Sequence, residues 1–165
     1  MTLTYTYALS QIGPTERKTG TYKMILLKTV GTTPNNPDNP DIHTLEELLA
    51  LTGTAEFNDT NYTPGFGGSG RKAVTFAGGQ SSSLTVNDTN DRTEWDFDDI
   101  LWASLGGTQY ARAAVLCYYP GTPVDDGDVI VDTYFDIADT LTNGADFTLQ
   151  VGANGAIHTT GIPVE

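Results

Sequence analysis

The alternation of apolar and polar residues is clearest over residues 108–119, and it predicts the central strand of the protein. From Ala113 onward both faces of this strand are apolar, as expected where a strand is covered on both sides. A buried helix is the alternative interpretation of 112–118. The aromatic and β-branched residues, framed by Gly106-Gly107 and Pro120-Gly121, favour a strand.

A second alternating segment lies just upstream, from Trp95 to Asp98, and continues into 100–102. It brings both tryptophans of the chain, Trp95 and Trp102, close in sequence to the tyrosines of the central strand, Tyr110, Tyr118 and Tyr119. Aromatic side chains bury the largest areas. These two strands are therefore predicted to form the centre of the hydrophobic core.

Shorter runs of the same kind predict the remaining strands. They are 2–9, 22–28, 71–76, 83–86, 129–137 and a last clear strand formed by Phe147, Leu149 and Val151. Asn154-Gly155 is interpreted as a final turn before Ile157.

One helix is predicted, over 44–52. Thr44 and Glu47 have the spacing of a capping box, a leucine stripe follows, and Gly53 supplies a stop. Residues 15–20 are interpreted as a polar turn. Turn signals recur about every ten residues. The 165 residues are thus predicted to form a single, mostly β domain: an antiparallel β-sandwich or barrel of about eight strands, with residues 1–10 as an N-terminal strand or arm.

Charge and cysteine content narrow the function classes. The net charge of −13 disfavours binding to nucleic acid and to anionic lipid. Residues 1–10 lack the basic and apolar regions of a signal peptide, and no run approaches transmembrane length. We expect neither a nucleic acid nor a membrane as partner. The single cysteine, Cys117, is expected to be a buried structural thiol.

The segment 65–70, GFGGSG, is a literal GxGxxG match that fails its structural context. A dinucleotide site needs a strand before the glycines and a helix after them. Here a proline turn precedes the glycines, and the β-type run 71–76 follows them. We therefore predict a flexible glycine loop rather than a nucleotide site.

The remaining candidates for chemistry are isolated. His43 and His158 belong to no metal or hydrolase motif, and surface positions are expected for both. The acidic turns 88–91 and 125–128 are expected to cap their own backbone. Asp96, Asp98 and Asp99 alternate with aromatic residues, as on the solvent face of a strand. We therefore predict no catalytic residue, no cofactor and no metal, and a protein that is not an enzyme.

Six phrases of the sequence, read in order, resemble a class of small virion proteins of tailed bacteriophages. They are 23–29 (KMILLKT), 43–46 (HTLE), 53–54 with 61–68 (GT and NYTPGFGG), 95–103 (WDFDDILWA), 111–118 (ARAAVLCY), and 146–149 with 155–157 (DFTL and GAI). The pattern is interrupted by an insertion between Gly53 and Tyr62, and the N-terminal strand is unusually rich in tyrosine. The resemblance implies a structural component of the particle and carries over no enzymatic activity.

Our first hypothesis is a capsid decoration (cement) protein, made in the host cytoplasm, that binds the outer surface of the head. Its partners would be the major capsid protein or neighbouring virion proteins. A homo-oligomer is expected on a symmetric lattice, with a trimer as the working guess. Leu3, Tyr5 and Tyr7 could contact a neighbour through strand addition. The alternative is that this strand belongs to the sheet of its own domain.

Two other functions are compatible with the same sequence. The protein could be a tail or baseplate component, which would be present in a few copies per particle rather than hundreds. It could also be a carbohydrate-binding β-sandwich module that stacks sugars on exposed tryptophan or tyrosine side chains.

Overall fold

The structure, a computed structural model, describes residues 2–4, 8, 11–28, 42–76, 78–90, 92–152 and 157–160. The helices within these ranges are α1 (Pro14–Thr19) and α2 (Leu45–Ala50), with a 3₁₀ turn at Gln80–Ser82. The strands are β1 (Thr2–Thr4), β2 (Thr21–Lys28), β3 (Lys72–Ala73), β4 (Leu84–Asn87), β5 (Arg92–Trp95), β6 (Ile100–Trp102), β7 (Tyr110–Tyr119), β8 (Ile130–Leu141), β9 (Phe147–Leu149) and β10 (Ile157–Thr160).

The strands form three antiparallel sheets, which confirms the predicted fold class. The largest sheet has five strands in the order β1-β8-β7-β2-β3. A three-stranded sheet has the order β10-β5-β4, and β6 pairs with β9. One cluster of buried apolar side chains contains residues from all three sheets, including Met24, Trp95 and Trp102.

The central strand β7 is covered on both faces, as its sequence predicts. Residues 113–117 have no solvent exposure. On one face Tyr22, which pairs with Tyr118 of β7, lies 4.8 Å from the Trp95 ring of the three-stranded sheet. On the other face the Tyr119 ring lies 6.1 Å from Phe66. The five-stranded sheet is therefore the middle layer of the described fold.

The two segments predicted to form the centre of the core lie in different sheets. Trp95 and Trp102 are both 1% exposed, so their burial is confirmed. However, β5 pairs with β4 and β10, and β6 pairs with β9, so neither lies beside β7. Tyr110 is 47% exposed rather than buried, because it begins β7 before the apolar section of that strand. Alternation identified the strands but did not specify which strands hydrogen-bond to each other.

The N-terminal region also differs from the prediction. Within the predicted strand 2–9, the structure describes a strand at Thr2–Thr4 and a helical conformation at Ala8, whose carbonyl accepts a hydrogen bond from the Ile12 N–H at 2.8 Å. The other residues of that segment lie outside the described residues. The polar turn predicted at 15–20 is the helix α1. Pro14 begins it, and the Glu16 carboxylate accepts a hydrogen bond from the Gly13 N–H at 3.0 Å.

The helix α2 confirms the predicted capping box. Thr44 Oγ1 accepts from the Glu47 N–H at 3.3 Å, and the Glu47 carboxylate accepts from the Thr44 N–H at 3.1 Å. Leu45 and Leu48 are fully buried, so the helix is anchored by the apolar stripe that predicted it.

A buried ion pair fastens α1 to the sheets. Arg17 donates two hydrogen bonds, of 2.8 and 3.1 Å, to the carboxylate of Asp132 in β8. Its guanidinium carbon lies 4.8 Å from the centre of the Trp95 ring, in a cation–π contact. The Gln80 side chain donates to the Arg17 carbonyl at 3.1 Å. Arg17 thus connects a helix with strands of two different sheets.

We predict that Arg17→Met lowers the free energy of unfolding by about 3–5 kcal/mol, because it leaves the Asp132 carboxylate buried without a partner. Urea unfolding at neutral pH measures this loss. Arg112→Met is the matched control: its ion pair with Asp139 is partly exposed, and its loss should cost about 1 kcal/mol or less. Equal losses in the two variants would contradict the structural role of the buried pair.

Candidate functional site

The glycine-rich segment 65–70 is a loop held by its own backbone. The Gly68 N–H donates to the Gly65 carbonyl at 2.9 Å, and the Gly70 N–H donates to the Thr63 carbonyl at 3.0 Å. A Cβ atom on Gly70 would lie 2.2 Å from the Tyr62 ring, and one on Gly68 would lie 2.1 Å from the Thr63 carbonyl oxygen. Glycine is therefore required at both positions by close packing within the chain.

Arg71, directly after this loop, is the centre of a second buried ionic cluster. It donates to Glu56 from Nε at 2.9 Å and from Nη2 at 2.7 Å. It also donates to Asp126, at 2.9 Å from Nη2 to Oδ2, and to the Tyr119 hydroxyl at 3.4 Å. The Gly65 N–H donates to the Glu56 carboxylate at 3.0 Å. A phosphate-binding loop would offer such a backbone N–H group to its ligand, whereas here the Gly65 N–H already donates to a carboxylate of the same chain.

Arg71, Tyr119 and Tyr62 of this cluster keep their charge states around neutral pH. Burial alone would lower the pKa of Arg71, but hydrogen bonds to Asp126 and Glu56 outweigh it and raise that pKa. Burial raises the pKa of Tyr119 to about 12 and also raises the pKa of Tyr62. Tyr62 donates to Glu56 at 3.2 Å and accepts from the Leu26 N–H at 3.1 Å. The cluster is built to hold the glycine loop on the sheet.

Sequence reasoning missed Arg17 and Arg71. A lone arginine in a polar segment gives no signal of burial, and its carboxylate partner lies far along the chain. The short separation of Glu56 and Arg71, with glycines between them, was the one local hint of an internal ion pair.

Cys117 is fully buried, as predicted for a structural thiol, and burial raises its pKa well above the usual value.

The acidic turn 125–128 was predicted to cap its own backbone, and Asp125 and Asp128 do so. Asp125 accepts from the Gly127 N–H at 2.9 Å, and Asp128 accepts from the Val124 N–H at 2.9 Å. Asp126 has a different role, because it pairs with Arg71.

Three of the residues weighed as candidates for chemistry take part in hydrogen bonds with backbone groups. The His43 N–H donates to Glu47 at 2.6 Å, and the His43 carbonyl accepts from the Val131 N–H at 3.2 Å. Asp96 accepts from the Phe97 N–H at 2.9 Å, and Asp99 accepts from the Val151 N–H at 2.8 Å. The side chain of His158 lies outside the described part of the chain.

The N-terminal strand pairs with its own sheet. Leu3 lies opposite Tyr134 in β8, and β1 is an edge strand of the five-stranded sheet. Tyr5 and Tyr7 lie outside the described residues. A contact of Leu3, Tyr5 and Tyr7 with a partner therefore stays a prediction.

Three loops are joined into one surface, which we call the loop end. It consists of residues 58–62, 103–109 and 142–146. Asp59 accepts from the N–H groups of Gly107, at 3.2 Å, and Thr108, at 3.1 Å. The Ser104 N–H donates to Asp146 at 2.8 Å. The Leu105 N–H donates to the Ala145 carbonyl, and the Gly144 N–H donates to the Leu105 carbonyl. The three loops are therefore connected by a continuous network of hydrogen bonds.

The loop end also holds unusual backbone conformations. Asn61 and Ser104 have φ angles of 63° and 49°, and the Asn61 side chain donates to the Ser104 carbonyl at 2.9 Å. Gly106 has a φ of 66°, and a Cβ there would lie 2.3 Å from Thr142 Oγ1. Left-handed conformations persist only where the surroundings fix them. The loop end is therefore a fixed surface.

The comparisons with protein-family models, with curated proteins and with solved structures found no match for this chain. Within the described residues, no group of three or more His, Cys, Asp or Glu side chains is arranged to hold a metal ion. The helices described there are also too short or too polar to cross a membrane.

We predict that Gly70→Ala destabilises the fold by about 1–3 kcal/mol, because the new methyl group would overlap the Tyr62 ring. Gly67→Ala in the same loop is the control. Its Cβ would meet no atom within 4 Å, so the free energy of unfolding should change by about 0.5 kcal/mol or less. If both variants unfold at the wild-type urea midpoint, the loop is not packed as described.

We further predict that Asp59 titrates below the usual range. Hydrogen bonds from the N–H groups of Thr60 and Thr108 lower its pKa in the folded state. An unfolded aspartate has a pKa of about 3.9. The stability that Asp59 contributes is therefore present above that value and is lost as the pH falls through the lower, folded-state pKa.

Carbon-detected NMR titration of the Asp59 carboxyl group measures that pKa directly. In Asp59→Asn the side-chain oxygen can still accept hydrogen bonds but does not titrate, so stability should fall less steeply with acid than in the wild type. Identical acid slopes, with an ordinary Asp59 pKa, would show that the loop end does not depend on this carboxylate.

Proposed function

We propose that this chain is a non-enzymatic structural component of a tailed-bacteriophage particle, specifically a capsid decoration (cement) protein on the outer head surface. The supporting observation is that its arginine side chains form ion pairs within the chain. All four bind carboxylates of the same chain: Arg17 with Asp132, Arg71 with Glu56 and Asp126, Arg92 with Glu94, and Arg112 with Asp139. Arginine is well suited to binding carboxylates and phosphates, and here it is used to hold the fold together.

The positions of the phrases that resemble virion proteins support the same proposal. The phrase 23–29 lies largely in β2 and 111–118 lies in β7, and these strands pair in the middle of the central sheet. The phrase 95–103 joins β5 to β6, and 146–149 contains β9. The resemblance therefore involves segments that build the core, as expected if it reflects a shared architecture.

The role of a decoration protein agrees with the physical character of the chain. Such a protein must stay folded while it is attached to an assembled lattice, and buried charge clusters linking separate elements favour one conformation. Its partner would be the major capsid protein or a neighbouring virion protein, and a homo-oligomer, such as a trimer, would match a symmetric lattice. Its location would be the virion surface.

The carbohydrate-binding alternative has less support from the side chains. A sugar-stacking platform needs exposed aromatic faces, but Trp95 and Trp102 are almost completely buried, and among the described residues Tyr110 is the one large aromatic side chain that is exposed. The same observations are compatible with a protein of the tail or baseplate. Copy number per particle distinguishes that location from the head.

Copy number tests the proposal. We expect the protein in purified phage particles at hundreds of copies, in a fixed ratio to the major capsid protein, as measured by quantitative gel densitometry. Particle reconstruction should place it on the outside of the head. A handful of copies at the tail would establish the alternative location, and absence from particles would refute the virion assignment.

A further inference from the structure

We propose that Tyr110 and Leu141 form the main contact point with the neighbouring protein in the particle. The matching partner surface is an apolar pocket rimmed by lysine or arginine side chains. This inference rests on the proposed function and deepens it by naming the binding surface.

The two side chains form one exposed apolar unit. Tyr110 is the first residue of β7 and Leu141 the last residue of β8, and they lie directly opposite each other in the register of the two strands. Tyr110 is 47% exposed and Leu141 is 50% exposed. Side chains opposite each other on antiparallel strands are about 5 Å apart at Cβ, close enough to present a continuous surface.

The other large exposed apolar side chains in the described residues lack this arrangement. Val86 lies in β4, opposite Thr93, and Val124 lies in the loop before the acidic turn. Leu101 lies opposite the polar Thr148. Single exposed apolar residues are ordinary on protein surfaces. A tyrosine beside a leucine on adjacent strands instead matches the aromatic anchors that contribute most to interface affinity.

The pair is fixed in place by the loop end. Immediately beyond it, Thr142 donates to the Gln109 carbonyl twice, from its N–H at 2.9 Å and from its hydroxyl at 2.8 Å. The N–H groups of Gly107 and Thr108 donate to the Asp59 carboxylate, which fixes the backbone that leads into Tyr110. Because the backbone is already ordered, binding through this point would cost little conformational entropy.

Charge around the pair identifies the partner. The loop end and the adjoining strand ends, 110–113 and 136–141, carry four carboxylates and one basic residue. These are Asp59, Asp136, Asp139, Asp146 and Arg112. Arg112 is already paired with Asp139 at 3.1 Å. Lys28 of β2 also reaches the loop end, where it donates to the Asn58 side chain at 2.5 Å. Four carboxylates against two cations leave the surroundings of the apolar pair negative. Complementary interfaces place opposite charges at the rim, which calls for a basic rim on the partner.

The test is the binding of purified protein to particles assembled without it. Tyr110→Ser/Leu141→Ser should bind at least about 30-fold more weakly than the wild type, which is the loss expected for one interface hot spot. Val86→Ser/Val124→Ser removes two equally apolar but separate exposed side chains and should bind like the wild type. Thermal unfolding of both variants checks their folding. If the first variant unfolds, Leu141→Lys replaces it, since a positive charge opposite a basic rim should also prevent binding.

The outcomes separate the two proposals. Wild-type protein that does not bind particles overturns the proposed function, and this inference with it. Wild-type binding that is unchanged in the Tyr110/Leu141 variant overturns the contact point alone. So does a variant that binds particles normally but no longer self-associates, because the pair would then contact a second copy. Asp136→Asn/Asp146→Asn should weaken the salt dependence of binding, and an unchanged salt dependence would overturn the basic rim.

Discussion

The fold depends on two buried guanidinium groups whose charges are matched by carboxylates from distant parts of the chain. Arg17 binds Asp132, and Arg71 binds Glu56 and Asp126. A buried ion pair adds little net stability compared with apolar packing, but the loss of one partner is costly. Alternative packings that separate these partners are therefore penalised. The pairs specify how the layers meet, while the apolar core supplies the driving force.

The two clusters act on opposite faces of the central sheet. The first joins α1 to β8 and, through Trp95, to the three-stranded sheet. The second joins the glycine loop to the ring of Tyr119 and to the turn that follows β7. Each face is thus closed by an arginine that contacts both the sheet and its cover. This arrangement fixes α1, the glycine loop and the turn at Asp126 against the central sheet.

Sequence patterns predicted the elements whose causes are local. The strand β2, the apolar section of β7 and the capping box of Thr44 and Glu47 were all predicted, because each depends on residues close together in the chain. The pairing of strands was not predicted, since alternation shows which side chains share a face and not which strand lies beside another. The helix α1 was missed because it is polar, and what holds it is an aspartate 115 positions away.

The loop end likewise combines features that the sequence predicted with features that arise only in the folded chain. Gly106-Gly107 marked the start of the central strand in the sequence, but only the folded chain brings residues 58–62, 103–109 and 142–146 together. Tyr110 was expected in the core because aromatic residues usually are, and its exposure arises from its place at the end of the strand. Arg71 was read only as the residue after a glycine motif, although it is the residue that fixes that motif.

The position of Cys117 has a practical consequence. It is the only thiol of the chain, and it lies fully buried in the middle strand of the central sheet. An alkylating reagent can reach it only while that strand is open to solvent. The rate of thiol modification therefore reports how often the sheet opens, both in the isolated protein and in any assembly that incorporates it.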